Sequence, residues 1–315
     1  MKRSAMITMS AAALGAATLP AFAQSETVRF GIVGVEEAAL PYYAQEKGFF
    51  KAAGINVALT VMPNGGSVTQ GILGGALDIG VTNSGSMSSA YIHGLPLQML
   101  ACGAVYAPRS PISHLAVGKA SGITTAKELS GKTFAVSTLH DMIQGTILAW
   151  VDKNGGDWKA INFVEMPPPQ MAGAIVAKRI DGAAIVEPFF TASKNDLSNL
   201  GYNYSAVNND KPFQTLGIAT SKDWFAKNAA TAKKVAEAIH EAGKWANNPK
   251  NDAEAATMLT TFTKVEPAII AGYPRLAFAE ANSPGLLQPV IDMLAKYAYI
   301  PHGFSAGALF APGMA

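Results

Sequence analysis

Two adjacent carboxylates, Glu36 and Glu37, sit between an apolar run and the helix-like stretch "ALPYYAQEKGFF". Such a pair can work as an acid/base couple, clamp a ligand, or favour a helix start. The couple is the weakest of the three. Neighbouring residues point in different directions in a strand or a helix, so one substrate proton is awkward to share. No nucleophile accompanies them either: the chain carries no G-x-S-x-G, S-x-x-K or H-E-x-x-H motif. The 5 histidines, His93, His114, His140, His240 and His302, are scattered without ligand spacing. Gly65-Gly66 is too short for a phosphate-cradling loop with its lysine. Neither a cofactor nor a metal is expected. Pro41 suits a first helical position, which leaves both glutamates in the loop before the helix. Glu36, nearer the strand end, is expected to face a ligand, so that Glu36→Gln weakens binding and leaves melting nearly unchanged.

Other loops offer ligand-binding chemistry of the same kind. Candidate ligand contacts are Glu36, Glu37, Gly66, Ser67, Asn83, Ser84, Ser86, Thr138, His140 and Glu187. Each falls after a strand-like run and before a helix-like one, where open parallel sheets bind ligands. Glycine and hydroxyl residues at a helix start leave backbone N–H groups free for an acceptor. The competing reading is equally physical, because Ser and Asn are preferred helix caps whether or not a ligand exists.

The elements that would position these residues are legible in the apolar rhythm. Strand-like runs Val28 to Gly34, Asn56 to Met62 and Asp78 to Thr82 alternate with helix-like segments, a β-α-β-α-β pattern that requires a parallel sheet. A second copy runs through Thr133 to Ser137, Ile161 to Met166 and Gly182 to Val186. "GGALDIGVTN" and "AKRIDGAAIVEP" share helix, turn, Asp, buried strand and polar end. Two similar α/β lobes are therefore expected, followed by helices near Lys227 to Trp245, Asp252 to Phe262 and Leu286 to Tyr297.

Composition and the N-terminal stretch bound the setting. Lys2 and Arg3 precede an uncharged apolar stretch and then Ala21-Phe22-Ala23, the pattern of a signal peptide (residues 1–23) cleaved after Ala23 and exported to the periplasm. Cys102, the 1 cysteine, can form no intrachain disulfide. Loss of Lys2 and Arg3 brings the 24 basic residues level with the 22 acidic ones. A neutral chain without a basic run gives no electrostatic reason to bind nucleic acid. With 49% hydrophobic residues, the 315-residue chain can build one large domain or two medium ones.

"ALPYYAQEKGFFKAAGINVALTVMPNGGSVTQGILGGALDIGVTNSG", "AKELSGKTFAV" and "GAAIVEPFF" together resemble the periplasmic solute-binding proteins for nitrate, aliphatic sulfonates, taurine and thiamine-pyrimidine precursors. The resemblance implies an α/β, two-lobed type II periplasmic binding fold. Each lobe is then a mostly parallel sheet flanked by helices, and two crossovers join them. Residues 24–112 with 215–315 would form lobe I, and 113–214 lobe II. It also implies a monomer that closes on a small-molecule ligand by hinge motion and passes it to the permease and ATPase subunits of an ABC importer in the inner membrane. Alternatives are a ligand sensor presenting to a membrane receptor and an enzyme like the pyrimidine-precursor synthase, whose cysteine-rich motif is missing here. The loops carry Glu36, Glu37, Asp141 and Glu187, opposed by His140 and Arg109. That balance favours a ligand bearing donor groups, such as an aminopyrimidine, amine or zwitterion, over a sulfonate. Tyr42, Tyr43, Phe189 and Phe190 are candidates for stacking on a ring.

Overall fold

A computed structural model describes residues 27–315, so the expected signal peptide lies outside the described residues. Thirteen strands form three sheets. They are β1 Val28–Val33, β2 Val57–Met62, β3 Ile79–Asn83, β4 Leu97–Cys102, β5 Ala104–Tyr106, β6 Ser113–Gly118, β7 Thr133–Val136, β8 Asn162–Glu165, β9 Gly182–Val186, β10 Leu197–Asn199, β11 Phe213–Gln214, β12 Leu216–Ser221 and β13 Ala277–Phe278. The first sheet has the order β2-β1-β3-β12-β4, and the second the order β10-β6-β9-β7-β8. The two orders are the same arrangement written from opposite edges. In each, three strands of the alternating rhythm pair in parallel, and one strand, β12 or β6, runs against them.

The antiparallel strands mark where the chain changes sheet. After β4 the chain leaves the first sheet through β5 and enters the second at β6; it returns through β11 into β12. β5 and β11 lie side by side in the third sheet, with Phe213 opposite Tyr106 and Gln214 opposite Val105. The fold is thus two α/β lobes with two adjacent crossovers. Apolar rhythm did not reveal β6 and β12, because an antiparallel visitor carries no repeat of its own.

The shared Asp of the two lobes has a structural cause. Asp78 Oδ2 accepts the backbone N–H of Arg29 at 2.8 Å, and Asp181 Oδ2 accepts that of Thr133 at 2.8 Å. Each Asp also donates its own N–H to the same residue's carbonyl at 2.9 Å. One side chain in each lobe therefore satisfies a donor at the open end of the first strand, where the ladder leaves one unpaired.

Helices cover both sheets; the three expected long helices are present, the first of them beginning at Lys222 instead of Lys227. Lys222–Ala246 bends at Asn228 (φ −129°, ψ 27°), and Asp252–Thr263 and Pro284–Lys296 follow. The buried stripe Val235, Ile239, Ala242 of the first packs on the sheet side, with Trp245 against Tyr43 at 5.3 Å. Leu287, Val290, Ile291 and Leu294 are likewise buried on the last. No helix of the described residues is long and apolar enough to cross a membrane.

Candidate functional site

Three helix starts meet where the lobes face each other. Asn64 caps helix Gly65–Leu73, with its Oδ1 accepting the N–H of Ser67 at 2.8 Å and the Ser67 hydroxyl at 3.0 Å. Asn83 caps helix Ser84–Ile92 through the N–H of Ser86 at 2.7 Å. Asp141 caps helix Met142–Lys153 through the N–H of Ile143 at 2.9 Å. Each capping asparagine still has an amide donor to place, and each places it on the other lobe: Asn83 Nδ2 on Asp141 Oδ2 at 2.6 Å, Asn64 Nδ2 on Glu165 Oε1 at 3.1 Å. Burial, with Glu165 adding repulsion, lifts the Asp141 carboxyl to about 7 against these hydrogen bonds.

Contact between the lobes is close elsewhere too. A methyl group added at Gly85 would stand 2.3 Å from the backbone N of Met142, and one at Gly66 would stand 3.1 Å from Thr138 Cγ2. Glycine is required at position 85 because a neighbouring backbone occupies the space.

The two glutamates occupy a single 3-10 turn, Glu36–Ala38, just ahead of helix Leu40–Glu46. Their surroundings differ. Glu36 is 1% exposed and held by Arg275, whose Nη2 lies 2.7 Å from Oε1, while Tyr273 donates its hydroxyl to Oε2 at 2.5 Å. Burial pushes its carboxyl up, and the Arg275 guanidinium pulls it back. Glu37 is the one that lines the space between the sheets. Its partners are hydroxyls: Tyr204, from the second lobe's turn Asn203–Ala206, donates at 3.4 Å, and Thr215 also contributes. Burial, outweighing those hydrogen bonds, brings its carboxyl up to about 7.

That space is a cavity of about 50 Å³, bordered by both lobes. Val33, Val35, Val81, Ile143, Ala184, Val186 and Leu216 make it largely apolar, and Glu37, Asn64, Thr82, Asn83 and Ser137 add polar groups. Glu37 is its one ionisable side chain among the described residues. Ligand sites commonly measure about 300–1,000 Å³, so this cavity is smaller than an ordinary ligand site.

The remaining candidates divide. Ser84 is buried and turned to the crossover, its hydroxyl donating to the Gln214 carbonyl at 3.1 Å. Ser67 and Ser86 serve their capping asparagines. The Thr138 hydroxyl is buried without a partner and faces Gly66. His140 adopts φ 55°, is exposed, and stands edge-on to Tyr299 at 5.9 Å, away from the cavity lining. Glu187 is buried; His114 Nε2 lies 2.9 Å from Oε1, and Thr191 donates its N–H to Oε2 at 3.0 Å and its hydroxyl to Oε1 at 3.0 Å.

Several further expectations need correction. Arg109 is exposed, and the cation opposing the glutamates is Arg275, more than two hundred positions along the chain from Glu36. None of the four aromatic candidates lines the cavity. Tyr43 packs on Trp245 and Phe278, Tyr42 stacks on Phe262 at 5.4 Å, Phe190 stacks on His114 at 3.9 Å, and Phe189 is buried. Sequence reasoning also missed Tyr204, Tyr273 and Glu165. Nothing local distinguishes them, since each acts on a residue far away in the chain. Among the described residues no group of three His, Cys, Asp or Glu side chains is placed to hold a metal ion.

Residues 36–253, more than half of the chain, match the family described as NMT1/THI5 like. The nitrate import ATP-binding protein NrtC of Synechocystis sp. is 26% identical over 277 residues, which are 80% of this chain and 41% of that relative, so the chain spans under half of its length. In three dimensions the chain is similar to the alkanesulfonate-binding protein SsuA from Xanthomonas axonopodis pv. citri bound to MOPS. The TM-score is 0.74 at 16% identity, covering 90% of this chain and 98% of that one. It is also similar to the desulfurization enzyme DszB, with a TM-score of 0.62 at 14% identity, covering 92% and 97%. One fold therefore serves a binding protein and an enzyme, and the residues in the cleft must decide between them.

Proposed function

Since the chain belongs to the NMT1/THI5-like family, we propose that it is a periplasmic substrate-binding component of an ABC importer. It takes a small organic ligand bearing hydrogen-bond donors into the cleft between its lobes. The observation that carries the ligand class is the cavity's single ionisable group, the carboxyl of Glu37. Arg275, the cation beside the neighbouring Glu36, is already paired with that carboxylate. An anionic ligand would bring a second negative charge beside Glu37, and among the described residues that line the cavity there is no Lys, Arg or His to meet it, which is costly in a buried site. An amine, an aminopyrimidine or the ammonium end of a zwitterion instead supplies what the carboxylate accepts.

Binding without catalysis is the favoured reading for the same reason. The Ser67 and Ser84 hydroxyls and the Asp141 carboxyl are engaged by Asn64, Gln214 and Asn83, and none of the described residues that line the cavity is a His, Cys or Lys. The lobes would part at the two crossovers, with 24–112 and 215–315 moving against 113–214, and ligand would stabilise the closed arrangement.

Mass spectrometry of the small molecules that co-purify with the exported protein tests this directly. A nitrogenous compound released on denaturation, which then raises the melting temperature of the stripped protein, is the expected result. Stabilisation by alkanesulfonates or nitrate, with none by amines or aminopyrimidines, would sink the ligand class. Deletion should abolish growth on the ligand; intact growth with lost induction would point to a sensor.

A further inference from the structure

The bond between Asn83 and Asp141 lies between two helix starts that belong to different lobes. Helix Met142–Lys153 runs for 12 residues and opens toward the cleft, and helix Ser84–Ile92 opens toward it from the other lobe. Both starts carry the positive end of the helix dipole, and their N–H groups are met by side chains of the chain itself, Ser86 by Asn83 and Ile143 by Asp141. In this protein the charge that meets them belongs to the chain. Asp141 is 2% exposed, takes the N–H of Ile143 on one oxygen and the amide of Asn83 on the other, and so bridges the two helix starts.

We propose that Asp141 is a specificity-determining residue: its carboxylate fills the anion position between the two helix starts, excluding anionic ligands and closing the lobes without one. The proposal deepens, and rests on, the reading of the chain as a cleft-closing binding protein. A free sulfonate or carboxylate would have to displace Asp141 from Ile143, Asn83 and the backbone N–H of Gln144, or sit beside it as a like charge. The tight packing of Gly85 against Met142 leaves no second place for it on that side. Selectivity against anions is thus set by a residue that contacts no ligand in the Glu37 cavity, whose lining does not include it.

The test is calorimetric titration of the full mature chain with ethanesulfonate, comparing wild type with Asp141→Ser and Asp141→Asn. Asp141→Ser keeps a capping hydroxyl and opens the position; Asp141→Asn keeps the shape and removes the charge. Asp141→Ser should bind ethanesulfonate about tenfold tighter than wild type or better, because a buried like charge has gone and the position is opened; Asp141→Asn should show the smaller part of that gain that comes from the lost charge alone. If Asp141→Ser does not melt cooperatively, Asp141→Asn decides. No gain in a folded variant, with wild type not binding, overturns the role of Asp141 and leaves the donor-ligand reading standing. A wild-type protein that binds ethanesulfonate as tightly as the variants overturns both.

Discussion

Asn83 donates its amide to Asp141 at 2.6 Å while each residue caps a helix of a different lobe. One pair of short side chains therefore does two kinds of work, ending two helices and joining two sheets. Asn64 likewise caps a helix and donates its amide to the other lobe, to Glu165 at 3.1 Å, but Glu165 ends β8 and its carboxylate is exposed.

The difference in burial predicts a difference in stability. Asn83→Ala removes a cap and leaves the buried Asp141 carboxylate short of a partner, and should cost about 2 kcal/mol. Asn64→Ala removes an equivalent cap but leaves Glu165 in water, and should cost about 1 kcal/mol. Urea unfolding of the two variants measures the contrast, and equal losses would show that the interlobe bond adds nothing.

The two adjacent glutamates should behave as different residues. Glu36→Gln strands the guanidinium of Arg275, and losing one partner of a buried pair should destabilise the empty protein by about 3 kcal/mol. Glu37→Gln leaves a neutral group among hydroxyls, so melting should change little while affinity for the co-purified ligand falls about tenfold or more. Calorimetry with parallel thermal melts reads both. The reverse pattern would restore Glu36 as the ligand contact and send Glu37 back to a structural role.

Gly85→Ala is a test of closure itself. Its methyl group would stand 2.3 Å from the Met142 backbone N, where no side-chain rotation can make room. Each lobe should keep its fold while the pair is wedged apart, with a larger radius of gyration by small-angle scattering and ligand affinity reduced about tenfold or more. An unchanged radius and affinity would mean that the contact does not define the closed state.

Acid should stabilise the protein within a defined window. Glu37 and Asp141 rise from 4.5 and 3.8 to about 7, so the folded protein holds these protons more tightly than the unfolded chain. For a carboxyl raised in this way, stability is fullest below the unfolded value and declines as pH climbs toward about 7, levelling above it. His240, which burial pushes below 6.5, opposes the trend at lower pH. Between pH 6.5 and 7.5 the carboxyls therefore dominate, and the melting temperature of the empty protein should fall as pH rises. Combining Glu37→Gln with Asp141→Asn should flatten the profile; an unchanged slope in that double variant would assign it to other groups.

The sequence by itself determined whatever depends on neighbours along the chain. Apolar period placed most of the parallel strands, and the repeated Asp78 and Asp181 announced two like lobes because each ties its turn to the first strand of its own repeat. Asparagine and aspartate before the helices were legible as caps, since a cap reaches only two or three residues ahead. Tertiary structure alone decided which of two adjacent glutamates faces the cleft. That choice turns on Arg275 and Tyr273, brought from a loop 237 positions away in the case of the Tyr273 bond, and on Tyr204, brought from the other lobe. It also decided that the spare amides of Asn64 and Asn83 reach across to Glu165 and Asp141. A buried charge must find its partner wherever folding delivers one, and no local pattern in the chain encodes that distance.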